Sequence, residues 1–396
     1  METEYLRIGT EYYKISNLPL FSGDSIKVLL RWNKGEIITD FGKDFIATIP
    51  KYDGFCLIPS HIDYKSEIGG FYNTYEQLHH HSTYGEFKTT KTFLHHIFGE
   101  QYDLGVDYLT ILWQKPTQIL PILALVSSER NTGKTTFLNW LKLIFQGNMT
   151  INKNEDFRSR FNTDWAAKLI IAVDEVLLDK REDSERLKNL STAKSYKSES
   201  KGKDKIEGSF FGKFILCSNN EDNFIYIDDQ EIRYWVRKIE PFTKEKPNLL
   251  DELEKEIPFF THFLNSRVIS TKKTTRMWFD KNLIHTPALD RLMKANKTYV
   301  HKEIEQILLD EFDVFEVTEL KYSNSDLVEK LSQNNIRVSS SKVSDVVKNY
   351  FKLESTNSSY EKYHLSIMPT TQKPWVDKTV HKGRHYTFKK QELIAG

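Results

Sequence analysis

Between residues 120 and 240 the chain carries four apolar runs, LPILALVS, KLIIAVDE, KFILCSNN and IRYWVRKI, separated by helical or polar stretches. Continuous apolar runs spaced in this way predict a parallel sheet covered on both faces, an α/β core. Just before it, KTFLHHIFGE and DYLTILWQK place apolar residues at helical spacing, broken by Gly99 and closed by Pro116, which predicts a small helical collar. Residues 1–75 alternate strand-like runs with Gly-containing breaks and predict a region rich in strand. Helical spacing returns in PNLLDELEKEIPFFTHFLN, followed by the polar linker VISTKKTTR. Beyond residue 298 three helical segments precede a Lys-rich stretch that ends in the strand-like GRHYTFKK, the order of a winged helix. The expected organisation is an N-terminal α+β region at 1–80, a collar at 81–119, an α/β core at 120–267, a linker and helix at 268–297, and a winged-helix domain at 298–396.

Candidate chemistry sits at the ends of the apolar runs. SERNTGKTTFLNWL (128–141) follows one run and leads into an amphipathic helix, the strand–loop–helix setting of a phosphate cradle. Gly133 lets the backbone approach a phosphate, and the N–H groups of the loop (Ser128, Asn131, Thr132) and of the helix start (Thr135, Thr136) would form an anion nest. Lys134 would reach the β- and γ-phosphates, and the Thr135 hydroxyl would be a Mg²⁺ ligand. The first glycine of the strict G-x-x-x-x-G-K-[ST] pattern is replaced by Ser128, a residue that enters left-handed backbone less freely than glycine.

Forty residues after Lys134, KLIIAVDEV ends in two carboxylates. Ligands of a parallel sheet gather at the carboxyl ends of its strands, so Asp174 would hold Mg²⁺ and Glu175 would polarise the attacking water. The third run ends in Ser218, Asn219 and Asn220, where the Asn219 carboxamide could sense the γ-phosphate. Asparagine is also an ordinary turn residue. The fourth run brings Arg233 and Arg237. An arginine supplied by a neighbouring subunit stabilises transition-state charge, although either one could equally be a surface strand charge.

Composition mainly excludes. The 56 Lys and Arg against 55 Asp and Glu leave a formal charge of +1, so nucleic-acid contact must come from local patches and not from a global field. Cys56 and Cys217 belong to no CxxC pair, which argues against a zinc site or a disulfide framework and fits a reducing cytosol. No apolar stretch reaches membrane-spanning length and no export signal opens the chain, so a soluble cytoplasmic protein without a membrane partner is expected, in a bacterial or phage-infected cytosol. His79, His80 and His81 are adjacent in a polar loop without a ligand partner at suitable spacing, and no metal site is expected there.

These elements, in this order within about 110 residues, resemble the superfamily 3 helicases of DNA viruses, phages and mobile elements, and most of all the helicase part of phage and poxvirus-type primase-helicases. The likeness covers residues 85–265 and is strongest at SERNTGKTT, LIIAVDE and FILCSNN. It implies an AAA+-like P-loop core, ATP and Mg²⁺ as cofactors, a hexameric ring on single-stranded or forked DNA, and translocation generally 3′ to 5′. It also implies Asn219 as sensor, Arg233 as the finger reaching the next subunit, and a channel hairpin in STAKSYKSESKGKDKIEG (191–208), where Lys194, Lys197, Lys201, Lys203 and Lys205 would grip phosphates. No primase unit is evident in the residues ahead of the collar, so a separate primase or polymerase is expected as partner. Two other readings stay open: an ATP-binding initiator or loader that does not unwind, and an oligomeric ATPase scaffold or defence switch.

In the last hundred residues, SSKVSDVVKNYFKL places Val343, Val346, Val347, Tyr350 and Phe351 on one helical face, with Lys342 and Lys348 on the other. Lys382 and Arg384 lie among the aromatics Trp375 and Tyr386 nearby, a mixture suited to nucleic-acid contact. A winged helix used only for protein contacts is the competing expectation.

Overall fold

In a computed structural model the chain is mixed α/β, and residues 4–19, 25–158, 165, 167–178, 181–198, 206–227, 231–244, 246–367 and 374–394 are described. Two compact units divide it: one comprises residues 1–225 and 229–290, the other 226–228 and 291–396.

In the first unit, strands β1 (Tyr5–Ile8), β2 (Glu11–Pro19), β3 (Ser25–Trp32) and β4 (Lys51–Tyr52) form a sheet in the order β3-β2-β1-β4, and helix α1 (Lys34–Phe41) packs Ile37 on Tyr5, Tyr12 and Ile49. Two helices follow, α2 (Lys88–Phe98) and α3 (Tyr102–Gln114), separated by a tight turn at Gly99. The N-terminus of α2 has no cap of its own, because Phe87 stands at the cap position. Its free Thr89 and Thr90 N–H groups donate instead to the two carboxylate oxygens of Glu256, at 3.0 and 2.6 Å, which satisfies two orphan donors and places an anion at the positive end of the helix.

The core sheet contains β5 (Ile122–Val126), β6 (Met149–Asn152), β7 (Ile170–Val173), β10 (Lys213–Ser218) and β11 (Tyr234–Lys238). It runs β11-β5-β10-β7-β6, parallel throughout. Helix α4 (Lys134–Phe145) follows β5, α5 (Arg181–Ser191) follows β7, and α6 (Leu249–Ser266) packs against α4 and the helices α2 and α3. Every residue of β5, β7 and β10 is buried, as strands covered on both faces must be.

The four-run expectation is short by one strand. Edge strand β6 (MTIN) mixes Thr150 and Asn152 with Met149 and leaves Ile151 exposed, so it carries no apolar run to read. Antiparallel strands β8 (Ser195–Ser198) and β9 (Ile206–Ser209) are the arms of the expected lysine hairpin.

Helix α7 (Pro287–Phe315) enters the second unit, which continues with β12 (Glu319–Tyr322), α8 (Asn324–Gln333), α9 (Ser340–Asn349), β13 (Thr356–Ile367) and β14 (Pro374–Lys389). Its sheet runs β12-β14-β13, antiparallel. Val343, Val346 and Val347 of α9 pack into a core with Val300, Ile304, Leu308, Tyr386 and Phe388. The helix stops at Asn349, one turn earlier than the apolar spacing predicts: Tyr350 stacks on His301 and Phe351 meets Phe388 edge-on from beyond the helix end.

Candidate functional site

The carboxyl ends of four adjacent strands lie along one edge of the core sheet, with Val126 of β5 level with Ser218 of β10 on one side and with Lys238 of β11 on the other. The loop 127–133 leaves β5 at this edge and enters α4. Two of its residues are left-handed, Asn131 (φ 54) and Gly133 (φ 81), and Ser128 is not among the positive-φ residues. The serine therefore sits in backbone that any residue adopts, and the expected penalty for replacing the first glycine is absent. Gly133 is required on two counts. A Cβ there would stand 2.8 Å from Phe242 Cζ and 3.2 Å from Phe93 Cε2, in addition to the left-handed torsion.

The loop is held from behind. Phe242 N–H donates to the Asn131 carbonyl at 3.0 Å, and His96 Nε2 lies 3.0 Å from the Thr132 carbonyl, which only accepts, so this nitrogen carries a proton. The His96 ring stacks on Phe242 with centroids 4.1 Å apart. No sequence pattern marks His96 or Phe242, since the first belongs to α2 and the second follows the last strand.

Lys134 is buried, 6% exposed. Its ammonium donates to Thr132 Oγ1 at 3.0 Å and approaches the Ser127 carbonyl at 3.5 Å, and among the described residues no carboxylate pairs with it. Burial lowers its pKa below the ordinary lysine value, opposed by the charges of Asp174 and Glu221. An ammonium desolvated in this way, beside the free N–H groups at the start of α4, is short of an anion. Thr136 is half-buried on the first turn of that helix.

Thr135 Oγ donates to Asp174 Oδ2 at 3.1 Å, which joins the helix start to the end of β7. Two hard oxygens so placed fit a divalent cation such as Mg²⁺ better than a soft metal. Glu175 is exposed and left-handed, with φ 53. Its N–H donates to Asp174 Oδ1, and its carbonyl accepts from Asn154 Nδ2, whose Oδ1 in turn accepts from Leu177 N–H. Asn154 thus pins the strained turn that carries the carboxylate, a role that becomes visible only once β6 is known to lie beside β7.

Asn219 is exposed just past β10, and among the described residues its carboxamide makes no hydrogen bond. Asn220 is occupied: its Oδ1 accepts from the N–H groups of Asp222 and Asn223, closing a turn. Glu221, with its side chain 4% exposed, was not marked by sequence reasoning; its Oε1 accepts from Ser128 N–H at 2.9 Å and from Ser128 Oγ at 3.2 Å.

Arg233 lies at the opposite edge. It immediately precedes β11, whose five residues span about 17 Å, and its Nη1 donates to both oxygens of Glu231 at 2.9 and 3.0 Å. Glu231 also pairs with the buried Lys188 at 3.4 Å. Arg237 is buried and bonds to Glu100 and Gln101, so it braces the collar. Among the hairpin lysines, Lys194 is exposed ahead of β8, and the backbone of Lys197 lies opposite that of Glu207 in the β8–β9 register. Lys201, Lys203 and Lys205 lie outside the described residues.

In the second unit Lys348, Lys382 and Arg384 are exposed and Lys342 is half-buried. Arg384 and Lys382 face Asn357 and Ser359 in the β13–β14 register.

Two of the three adjacent histidines serve the fold. His80 Nε2 lies 2.9 Å from the Ile144 carbonyl and 3.1 Å from that of Leu143, at the end of α4 where carbonyls lack helical partners, and His79 pairs with Gln146.

A family of unknown function, DUF5906, matches residues 125–234, the span from β5 to the start of β11. No curated protein matches the chain. Among solved structures, the apo structure of the NrS-1 C terminal region (305–718) is 14% identical, with 96% of this chain and 95% of that one covered at a TM-score of 0.58. The A form apo structure of the NrS-1 C terminal region is 15% identical, with 97% and 96% covered at a TM-score of 0.58. At such identities the likeness is one of fold alone, and it extends over nearly the whole of both chains. Among the described residues no helix is long and apolar enough to cross a membrane.

Proposed function

We propose that this chain is an ATP-driven DNA helicase of phage or mobile-element type, working as a hexameric ring on single-stranded or forked DNA. The observation that carries the reading is the meeting of the buried Lys134, which no carboxylate among the described residues pairs with, and the Thr135–Asp174 oxygen pair at one sheet edge. On this reading the loop 127–133 is a P-loop. Thr135 and Asp174 would hold Mg²⁺, which when bound would supply positive charge against the phosphates. Lys134 binds the β- and γ-phosphates, Glu175 orients and polarises the attacking water, and Asn219 faces the γ-phosphate with a carboxamide that makes no hydrogen bond among the described residues.

Arg233, held by Glu231 ahead of β11, would have to leave that partner to act as the finger in a neighbouring subunit's site. The lysine hairpin grips DNA phosphates without regard to sequence, so binding weakens as salt rises. The second unit is a winged helix that contacts DNA or a partner through Lys342, Lys348, Lys382 and Arg384, and priming comes from a separate primase or polymerase.

The test is ATPase activity with and without single-stranded DNA, together with unwinding of forked duplexes bearing a 3′ or a 5′ tail, for wild type, Lys134→Ala, and the pair Lys201→Ala with Lys203→Ala. DNA-stimulated hydrolysis and unwinding, both lost in Lys134→Ala, are expected. Unwinding that survives Lys134→Ala refutes the reading. Nucleotide-dependent DNA binding without strand separation identifies a loader, and hydrolysis indifferent to DNA and to the lysine pair identifies a scaffold or switch.

A further inference from the structure

The mouth of the loop is tied by side chains from the ends of three neighbouring strands. Ser128 follows β5, Glu221 follows β10, and Lys238 is the last residue of β11. Glu221 Oε1 accepts both the N–H and the Oγ–H of Ser128, and Lys238 Nζ approaches the same oxygen at 3.7 Å. The Glu221 side chain is 4% exposed, so this carboxylate is committed inward. A glycine at the Ser128 position could offer the N–H but not the hydroxyl, and its backbone would be freer to turn the loop away.

We infer that Glu221 is a positioning residue for the loop: acting through Ser128, it fixes the loop's mouth and thereby sets the affinity for nucleotide. The inference rests on the ATP-binding reading above. Hydrogen bonds to a carboxylate are about twice as strong as neutral ones, and both bonds converge on one buried oxygen, so the loop keeps its anion-ready shape before any ligand arrives. The charge of Glu221 would by itself repel phosphates, and Lys238 beside it offsets that repulsion. Nucleotide affinity therefore depends on the contact, whereas the reacting atoms, which face Asp174 and Glu175, do not.

The test uses the full chain as wild type, Ser128→Ala, Glu221→Gln, Glu221→Ala, the double variant Ser128→Ala with Glu221→Ala, and Lys134→Ala. Binding of Mg²⁺–ATPγS is measured by titration calorimetry, and kcat and KM by steady-state ATPase. Glu221→Ala is expected to weaken binding and raise KM by about tenfold with kcat within about twofold, and Ser128→Ala by about threefold. Glu221→Gln keeps an acceptor oxygen and recovers most of the loss. The double variant is no worse than Glu221→Ala alone, because both substitutions remove one contact.

Should Glu221→Ala fail to fold by circular dichroism, Ser128→Ala and Glu221→Gln read the same contact: Ser128→Ala binds about threefold more weakly while Glu221→Gln stays near wild type, and Ser128→Ala at wild-type affinity overturns the inference. Wild-type affinity in Glu221→Ala, a fall in kcat with KM unchanged, or additive effects of the pair overturn the inference while the ATP-binding reading stands. Wild type that binds no ATPγS, or Lys134→Ala that binds as wild type does, removes both.

Discussion

Glu175 occupies left-handed backbone at φ 53 on an exposed turn, and that torsion sets the demands of its carboxylate against the stability of the chain. A side chain with a Cβ costs about 1–2 kcal/mol in this region, and strain of this kind collects at functional sites. Glycine relieves it but costs about 0.5–1 kcal/mol of its own through the freedom of the unfolded chain. Because Glu175 is exposed, its truncation sacrifices no packing. Glu175→Gly should therefore stabilise the chain by roughly 0.5–1 kcal/mol, which at the heat-denaturation midpoint of a 396-residue chain is about 1 °C. Glu175→Ala keeps the strain and should melt near wild type, with Glu175→Asn between the two, since asparagine tolerates left-handed backbone.

If the carboxylate polarises the attacking water, all three variants lose about 10²- to 10⁴-fold in ATPase turnover. Scanning calorimetry supplies one axis and steady-state hydrolysis the other. A Glu175→Gly variant that melts below Glu175→Ala would show the turn to be unstrained, and one that retains turnover would remove Glu175 from the chemistry.

Gly133→Ala combines a left-handed torsion with a Cβ 2.8 Å from Phe242 Cζ. Calorimetry should show a loss of at least about 1–2 kcal/mol, and ATPγS binding should vanish. Adding Phe242→Ala should relieve the steric part only, and full recovery would show the torsion to be cost-free. His61 reports on pH: its Nδ1 faces the Trp113 carbonyl at 2.7 Å and must carry the proton, so its Nε2 accepts from the Tyr75 hydroxyl. Burial lowers its pKa from 6.5 to about 4. The unfolded chain thus binds a proton more readily between those values, and His61's share of stability, complete above pH 6.5, is lost as pH falls toward 4. At 1.36 kcal/mol per pH unit that share is at most about 3 kcal/mol. Urea unfolding at pH 7 and pH 4.5 measures it, and the same pH slope in His61→Phe would assign the effect elsewhere.

Three of the five core strands and both collar helices were legible because a two-sided parallel sheet and an amphipathic helix write their burial directly into the order of residues. The fourth run was legible too, although β11 begins only at Tyr234 and leaves Arg233 outside it. Edge strand β6 escaped because half of its four residues are polar, and Asn154 escaped with it. The end of α9 was overestimated because Tyr350 and Phe351 remain apolar after the helix stops.

Local order by itself marked the candidate site segments: a glycine before a lysine at a helix start, two acids closing an apolar run, and an asparagine closing another. Each is a short-range pattern, and short-range patterns survive without knowledge of what packs against them. Only the tertiary structure decided that Ser128 sits in unstrained backbone, because its torsion answers to a bond from Glu221, 93 residues away. The same holds for His96 and Phe242 behind the loop and for Arg233 at the far sheet edge: each is placed by strand order and helix packing, which link residues distant in sequence and leave no local signature.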